Sequence, residues 1–210
     1  MEQINERATR GWVLALTSTA SFMAALDALV VTTALGNIRR DFGASIETLQ
    51  WTVNAYNLSF AVLLLTGAAL GDRFGRRRMF VTGIALFVAA SILCAVAGNA
   101  GWLIAGRALQ GAGAALLMPL AMALLGAVFP REERAKALGV FGGVTGLALI
   151  AGPIAGGAIA GGLAWQWIFW INVPLGVLAT LVAVRVTPTT VDGPPRRLDI
   201  LGVVLVGVSL

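Results

Sequence analysis

Long apolar stretches alternate with short polar ones along the whole chain. Six stretches, at about 11–35, 49–70, 79–97, 102–129, 137–163 and 167–184, reach the roughly 17–25 residues that carry a helix across a bilayer. The fourth is long enough to tilt or to overrun the lipid. A polar, proline-broken segment follows at 187–199, and an apolar run then begins at 200–210, too short to span. The pattern predicts an all-α membrane protein: a six-span bundle over 1–186, a linker, and the truncated start of a seventh span. On this reading the chain is a fragment, or a truncated gene model, of a longer protein, and the six spans, linker and new span suggest one half of a two-half transporter. Spans one to three and four to six are then candidates for an inverted pair.

Composition reinforces the class. Of the 210 residues 58% are hydrophobic and 12% charged, against about half and about a quarter in a soluble domain. Arg7 and Arg10 ahead of an apolar run imitate a secretion signal, but the run exceeds the usual apolar core of about 7–15 residues and reads as a first span. The single cysteine, Cys94, lies inside an apolar run, so no disulfide follows. With no histidine present, proton chemistry near neutral pH falls to a buried carboxylate.

The net charge of +5 raises the question of nucleic acid. That reading is rejected, because the basic residues sit in short loops beside the spans. Arg7, Arg10, Arg73, Arg76, Arg77, Arg78, Arg131, Arg134, Lys136, Arg185, Arg196 and Arg197 share one side, and only Arg39 and Arg40 occupy the other. Under the positive-inside rule the first group marks the cytoplasm, placing the N-terminus and the linker after span six on that side. Trp12, Trp51, Trp102, Trp165, Trp167 and Trp170 fall at or near span ends, where indole favours the lipid–water boundary.

Two charges lie inside spans. Asp27 is about 22 Å along the helix from Trp12, and Arg107 is about 8 Å past Trp102. Intramembrane charges are costly and mark functional sites by default. The sequence points to a pair in which Arg107 favours the charged form of Asp27, and protonation of Asp27 loosens the pair and biases the conformation. A purely structural aspartate, and an arginine snorkelling to the outer surface, are the alternatives. Ser21, Thr32 and Thr33 are candidates to line a polar path on the same span. Asn54, Tyr56, Asn57 and Ser59 are candidates to face a cavity or to stabilise helix contacts. The fifth span carries glycines four apart, Gly139/Gly143, Gly142/Gly146 and Gly152/Gly156, which predict flat strips for close helix contact, with Pro153 permitting a bend.

The segment Gly71-Asp72-Arg73-Phe74-Gly75-Arg76-Arg77-Arg78 reads as a charged loop between spans two and three, and it resembles the corresponding loop of the major facilitator superfamily. The family's earlier glycine is replaced by Ala68, with Gly67 beside it. The stretch from Leu103 to Gly113, with Arg107, Gln110 and Gly111, resembles the fourth-span motif of that family. Gly146 and Gly152-Pro153-Ile154-Ala155-Gly156-Gly157 resemble its fifth-span antiporter motif. The stretch Leu26-Asp27 to Leu35 resembles the first-span motif of the drug:proton antiporters of the EmrB/QacA type, departing at Leu29, Thr32 and Gly36. The stretch from Trp165 to Pro174, including Asn172, resembles the start of span six in the fourteen-span group, with Gln166 in place of arginine.

The resemblance covers nearly all of the chain and implies a proton-coupled multidrug efflux transporter of the cytoplasmic membrane. It implies proton coupling at Asp27 and Arg107, and a cytoplasmic latch at Gly71, Asp72, Arg73, Gly75, Arg76 and Arg77 that contacts a C-terminal half missing from this chain. The fifth-span motif implies a seal and export rather than uptake. The implied partners are the lipid bilayer and small amphipathic drug-like substrates. No cofactor is expected, with a proton gradient as energy source. A metabolite symporter of the same family and a truncated fragment without transport activity are the alternatives. No metal cluster, nucleophile–base pair or phosphate loop points to an enzyme.

Overall fold

The computed structural model describes residues 2–186; the linker at 187–199, with Arg196 and Arg197, and the expected start of a seventh span at 200–210 lie outside the described residues. Eight helices follow one another: α1 (Glu2–Phe42), α2 (Ile46–Phe74), α3 (Arg76–Ala95), α4 (Ala100–Val128), α5 (Arg131–Gly146), α6 (Ala148–Gly162), α7 (Trp167–Trp170) and α8 (Asn172–Val186). Six helical segments among the described residues are long and apolar enough to cross a membrane, with α5–α6 forming the fifth and α7–α8 the sixth.

Local chemistry sets the corners. Ser45 and Asn99 cap α2 and α4, accepting from the backbone N–H of Thr48 at 3.2 Å and Trp102 at 3.0 Å. The charged segment expected as an eight-residue loop is a one-residue corner. Helix α2 runs to Phe74, α3 starts at Arg76, and only Gly75 lies between, at φ 97°. That left-handed conformation suits glycine and reverses the chain at once. The flanking arginines remain helical, extending each span beyond its apolar segment.

The fifth span is likewise not the single helix expected at 137–163. It starts at Arg131 and tightens at Leu147, where the N–H of Ile150 donates back three residues to the Leu147 carbonyl at 3.1 Å. The N–H of Ala151 also donates to the Leu147 carbonyl at 2.9 Å, so the ladder resumes within a turn.

Helix α4 lies at the centre, packed chiefly against α2 and α3, while α1 packs against α6, α4 and α8. Close approach depends on glycine at the α4 seams. A Cβ at Gly111 would strike the Tyr56 carbonyl and Ser59 Oγ of α2, and one at Gly113 would lie 2.8 Å from the Phe87 nitrogen of α3. The glycine strips expected along the fifth span behave differently. Gly152 and Gly156 press on Leu29, Val30 and Thr33 of α1, but Gly139, Gly142, Gly143, Gly146 and Gly157 face open space among the described residues.

Apolar side chains are exposed on the outer surface, among them Leu149, Ile150 and Ile154 of α6 and Leu178 and Leu181 of α8. Several polar ones, including Asp27, Thr52, Ser91, Arg107, Gln110 and Asn172, are buried inside. This inversion fits a bundle solvated by lipid, where buried polar groups must find partners within the protein. Trp12, Trp51, Trp102 and Trp167 are exposed, as boundary residues are. Trp165 is the exception to the expected belt: it is buried, and its indole N–H donates to Asp41 Oδ2 at 2.7 Å. Phe42 and Phe169 meet its ring edge-on.

Candidate functional site

Asp27 and Arg107 are the only charged side chains buried among the described residues, and they form an ion pair. Arg107 Nη1 donates to Asp27 Oδ2 and to Gln110 Oε1, the latter at 2.8 Å, and Nε donates to the Thr52 carbonyl at 3.1 Å. Arg107 is fully buried, so the arrangement runs against snorkelling to the surface. Arg107 and Gln110 are three residues apart on α4 and therefore share a face.

The second carboxylate oxygen is served by two amides. Asp27 Oδ1 accepts from Gln110 Nε2 at 3.2 Å and from Asn172 Nδ2 at 2.7 Å. The same two groups donate to Ser91 Oγ, at 2.7 and 3.3 Å. Cys94 Sγ donates to Gln110 Oε1 at 3.4 Å. Rings flank the guanidinium, whose Cζ lies 4.3 Å from the Tyr56 ring centroid and 5.9 Å from that of Phe169. At these ranges a cation over an aromatic face is attracted to it. Tyr56 is itself fixed, its hydroxyl donating to the Ala24 carbonyl of α1 at 3.1 Å. One carboxylate thus gathers groups from α1, α2, α3, α4, α7 and α8.

The site keeps a carboxyl group and a guanidinium together in the apolar interior. Two buried charges recover their desolvation cost through mutual attraction and further hydrogen bonds, and removing one leaves the other uncompensated.

Other candidate residues take separate places. Asp72 and Arg76 form a half-buried pair one helical turn apart across the Gly75 corner, with Arg76 Nε and Nη2 at 3.3 and 3.2 Å from Oδ1. Arg77 Nη2 donates to the Val184 carbonyl of α8, tying this corner to the end of span six. The Arg73 guanidinium lies over the Phe74 ring at 5.2 Å. Gly71 packs against Leu120. At the same end of the bundle Arg10 Nη1 lies 3.5 Å from Glu133 Oε2, joining α1 to α5.

A cavity of about 180 Å³ lies among α1, α2 and α4, lined by Ser21, Ala28, Tyr56, Asn57, Phe60 and Met118 among others. Of the expected cavity residues, Tyr56 and Asn57 line it, and Asn54 is exposed away from it. Ser21 lines it too, with an Oγ that has no hydrogen-bond partner. Thr32 and Thr33 do not continue this polar path. They are exposed and turn back on their own helix, each Oγ1 donating to the carbonyl three residues earlier, Leu29 at 2.6 Å and Val30 at 2.7 Å.

The sequence singled out Asp27 and Arg107 as intramembrane charges and Gln110 only as a position of the fourth-span motif, but not Thr52, Ser91 or Cys94. Thr52 takes part through its backbone carbonyl, and nothing about a serine hydroxyl or a thiol in an apolar run marks it as part of a polar centre. Asn172 carried a signal only as one position of a longer motif.

Comparison with known proteins agrees with this architecture. The sequence profile of the Major Facilitator Superfamily matches residues 17–205. The chain is 41% identical over 191 residues to the methylenomycin A resistance protein of Bacillus subtilis, covering 90% of this chain and 41% of that one. It is 40% identical over 195 residues to a probable actinorhodin transporter of Streptomyces coelicolor, covering 91% and 34%. The multidrug transporter protein MdtP of B. subtilis is 39% identical over 191 residues, covering 90% and 35%. The chain thus spans about a third to two fifths of the length of these relatives. Among solved structures, a bacterial homolog of the human lysosomal transporter Spinster, inward-facing and unoccupied, superposes with a TM-score of 0.71 at 22% identity. The superposition covers 92% of this chain and 46% of that one, a likeness of fold.

Proposed function

The chain belongs to the Major Facilitator Superfamily, and from that premise we propose that it is the N-terminal six-helix half of a proton-coupled drug exporter of the cytoplasmic membrane. The observation that carries this reading is the buried Asp27–Arg107 pair with its six-element network. An acid buried in lipid-solvated protein beside a fixed cation is a two-state element: ionised, it holds the spans together, and protonated, it releases part of the network. A ligand or proton that prefers one state shifts the balance between conformations by its difference in affinity.

The parts divide the work. Asp27 takes and gives the proton, and Arg107 and Gln110 hold its ionised form. Asp72 and Arg76, with Gly71, Arg73, Gly75 and Arg77 shaping their corner, latch the cytoplasmic face against a C-terminal half outside this chain. Gly146, Gly152, Pro153, Gly156 and Gly157 supply the seal of span five, Gly152 and Gly156 by direct contact with α1. Gly111 and Gly113 have a packing role, bringing α2 and α3 against α4. The cargo is a small amphipathic drug, passing between the two halves, and Tyr56 and Asn57 border part of its path. The basic corners face the cytoplasm, as do the N-terminus and the linker after span six. The proton gradient supplies the energy, with no cofactor.

The names of the relatives support export rather than uptake: a probable actinorhodin transporter, a methylenomycin A resistance protein and a multidrug transporter. The test is ethidium efflux from cells expressing the complete transporter, with and without an uncoupler. Efflux that stops on uncoupling is the expected result. Efflux indifferent to the uncoupler, or ethidium uptake, contradicts the reading.

A further inference from the structure

The buried network contains one carboxamide whose two ends are used unequally. Asn172 gives its Nδ2 group to Asp27 Oδ1 and to Ser91 Oγ, while its Oδ1 is buried with no hydrogen-bond partner. Buried polar atoms are nearly always satisfied, and an exception calls for a physical reason. The other carboxamide at the site is different: both ends of Gln110 are engaged, with Oε1 accepting from Arg107 and Cys94.

We propose that Asn172 is a positioning residue that answers the proton on Asp27 with the two ends of its carboxamide in turn. The inference rests on proton coupling at Asp27 as set out above. With Asp27 ionised, Oδ1 accepts from Asn172 Nδ2, the arrangement observed. When Asp27 takes a proton on Oδ1 from a hydronium ion, an O–H bond of the hydronium breaks, water leaves, and the new carboxyl O–H makes that oxygen a donor facing an N–H. A half-turn of the Asn172 carboxamide replaces Nδ2 with the unused Oδ1, which accepts the new O–H. The hydroxyl of Ser91 follows by turning its hydrogen, since it serves as donor or acceptor. Gln110 is held by its other partners and makes no such turn.

The place of Asn172 in the chain gives the turn an effect. It is the first residue of α8, immediately after Ile171, where span six breaks between α7 and α8. A change in its hydrogen bonds therefore acts at the joint of that span. Gly176, one turn further on, fits against Val88 and Ile84 of α3, so α8 has a seat to move against. The charged or titratable groups close to Asp27 are Arg107 from α4, Tyr56 from α2 and Cys94 from α3. Helices α6 and α7 carry none, and those of α5 and α8 sit at exposed ends.

The experiment is infrared difference spectroscopy of the complete transporter in lipid, following the protonated carboxyl band as pH is titrated. Asp27→Asn identifies the band by removing it. Asn172→Ala removes a charge-assisted bond to the ionised form and a weaker bond to the neutral form. The midpoint of the band is expected to rise by about one pH unit, a tenfold change in proton affinity. The band is also expected to change frequency, because the acid O–H loses its acceptor. The isosteric Asn172→Asp, which preserves the packing, moves the midpoint further the same way by placing a second acid beside the first. An Asp27 band whose midpoint is unchanged in both variants overturns the role of Asn172 and leaves proton coupling at Asp27 standing. A band that survives Asp27→Asn overturns the coupling reading and this inference with it.

Discussion

Arg107 is fully buried, its Nη2 has no hydrogen-bond partner, and its charge is met by one carboxylate and two rings. Stability at this residue therefore depends on the pair rather than on either member. Replacing Arg107 with leucine strands the Asp27 charge and is expected to cost about 3–5 kcal/mol. The double variant Asp27→Asn/Arg107→Gln strands no charge and is expected to lose less. Thermal unfolding of the purified protein in detergent checks the order, and a double variant less stable than Arg107→Leu contradicts it. Asp27 and Arg107 were legible in the sequence because a charge inside an apolar run has an energetic cost that demands a reason. Thr52 and Ser91 were not: Thr52 takes part through its backbone carbonyl, which every residue carries, and a serine hydroxyl within a helix ordinarily bonds to its own preceding turn.

Among the elements, α4 sets the spacing of the bundle, and its glycines are not equivalent. Gly111 lies where a Cβ would meet the Tyr56 carbonyl and Ser59, whereas Gly126, four turns on, has nothing within 4 Å. Alanine at Gly111 is expected to cost about 1–3 kcal/mol by forcing α2 away. Alanine at Gly126 is expected to leave stability unchanged or raise it by about 0.5–1 kcal/mol through helix propensity. Thermal melts of the two single variants test the contrast, and equal losses contradict it. The number and order of spans were readable from run length alone. The helix ends were less readable, because hydropathy marks where lipid begins and not where hydrogen bonding stops. Hence α2 and α3 carry their helices through the charged residues to the single corner residue Gly75, and α5 begins at Arg131 rather than at the first apolar residue. The glycine spacing of span five signalled close packing, but spacing does not say against what: two glycines meet α1 and the others face away from the bundle.

On the scale of the whole molecule, the bundle is inverted, apolar outside, with the buried charges of its described residues at one interior point where six helices meet. Asp27, Ser91, Arg107, Gln110 and Asn172 join α1, α3, α4 and α8 at that point. The Gly75 corner is reached through the same span six, because Arg77 holds the Val184 carbonyl at the far end of α8. In the proposed function the charge on Asp27 links the proton gradient to cargo movement. The most direct test compares wild type and Asp27→Asn of the complete transporter in proteoliposomes loaded with a fluorescent cationic substrate. Both are expected to exchange substrate across the membrane when no gradient is present. Only wild type is expected to accumulate substrate against its concentration when a pH gradient is imposed. Gradient-driven accumulation that persists in Asp27→Asn contradicts the account.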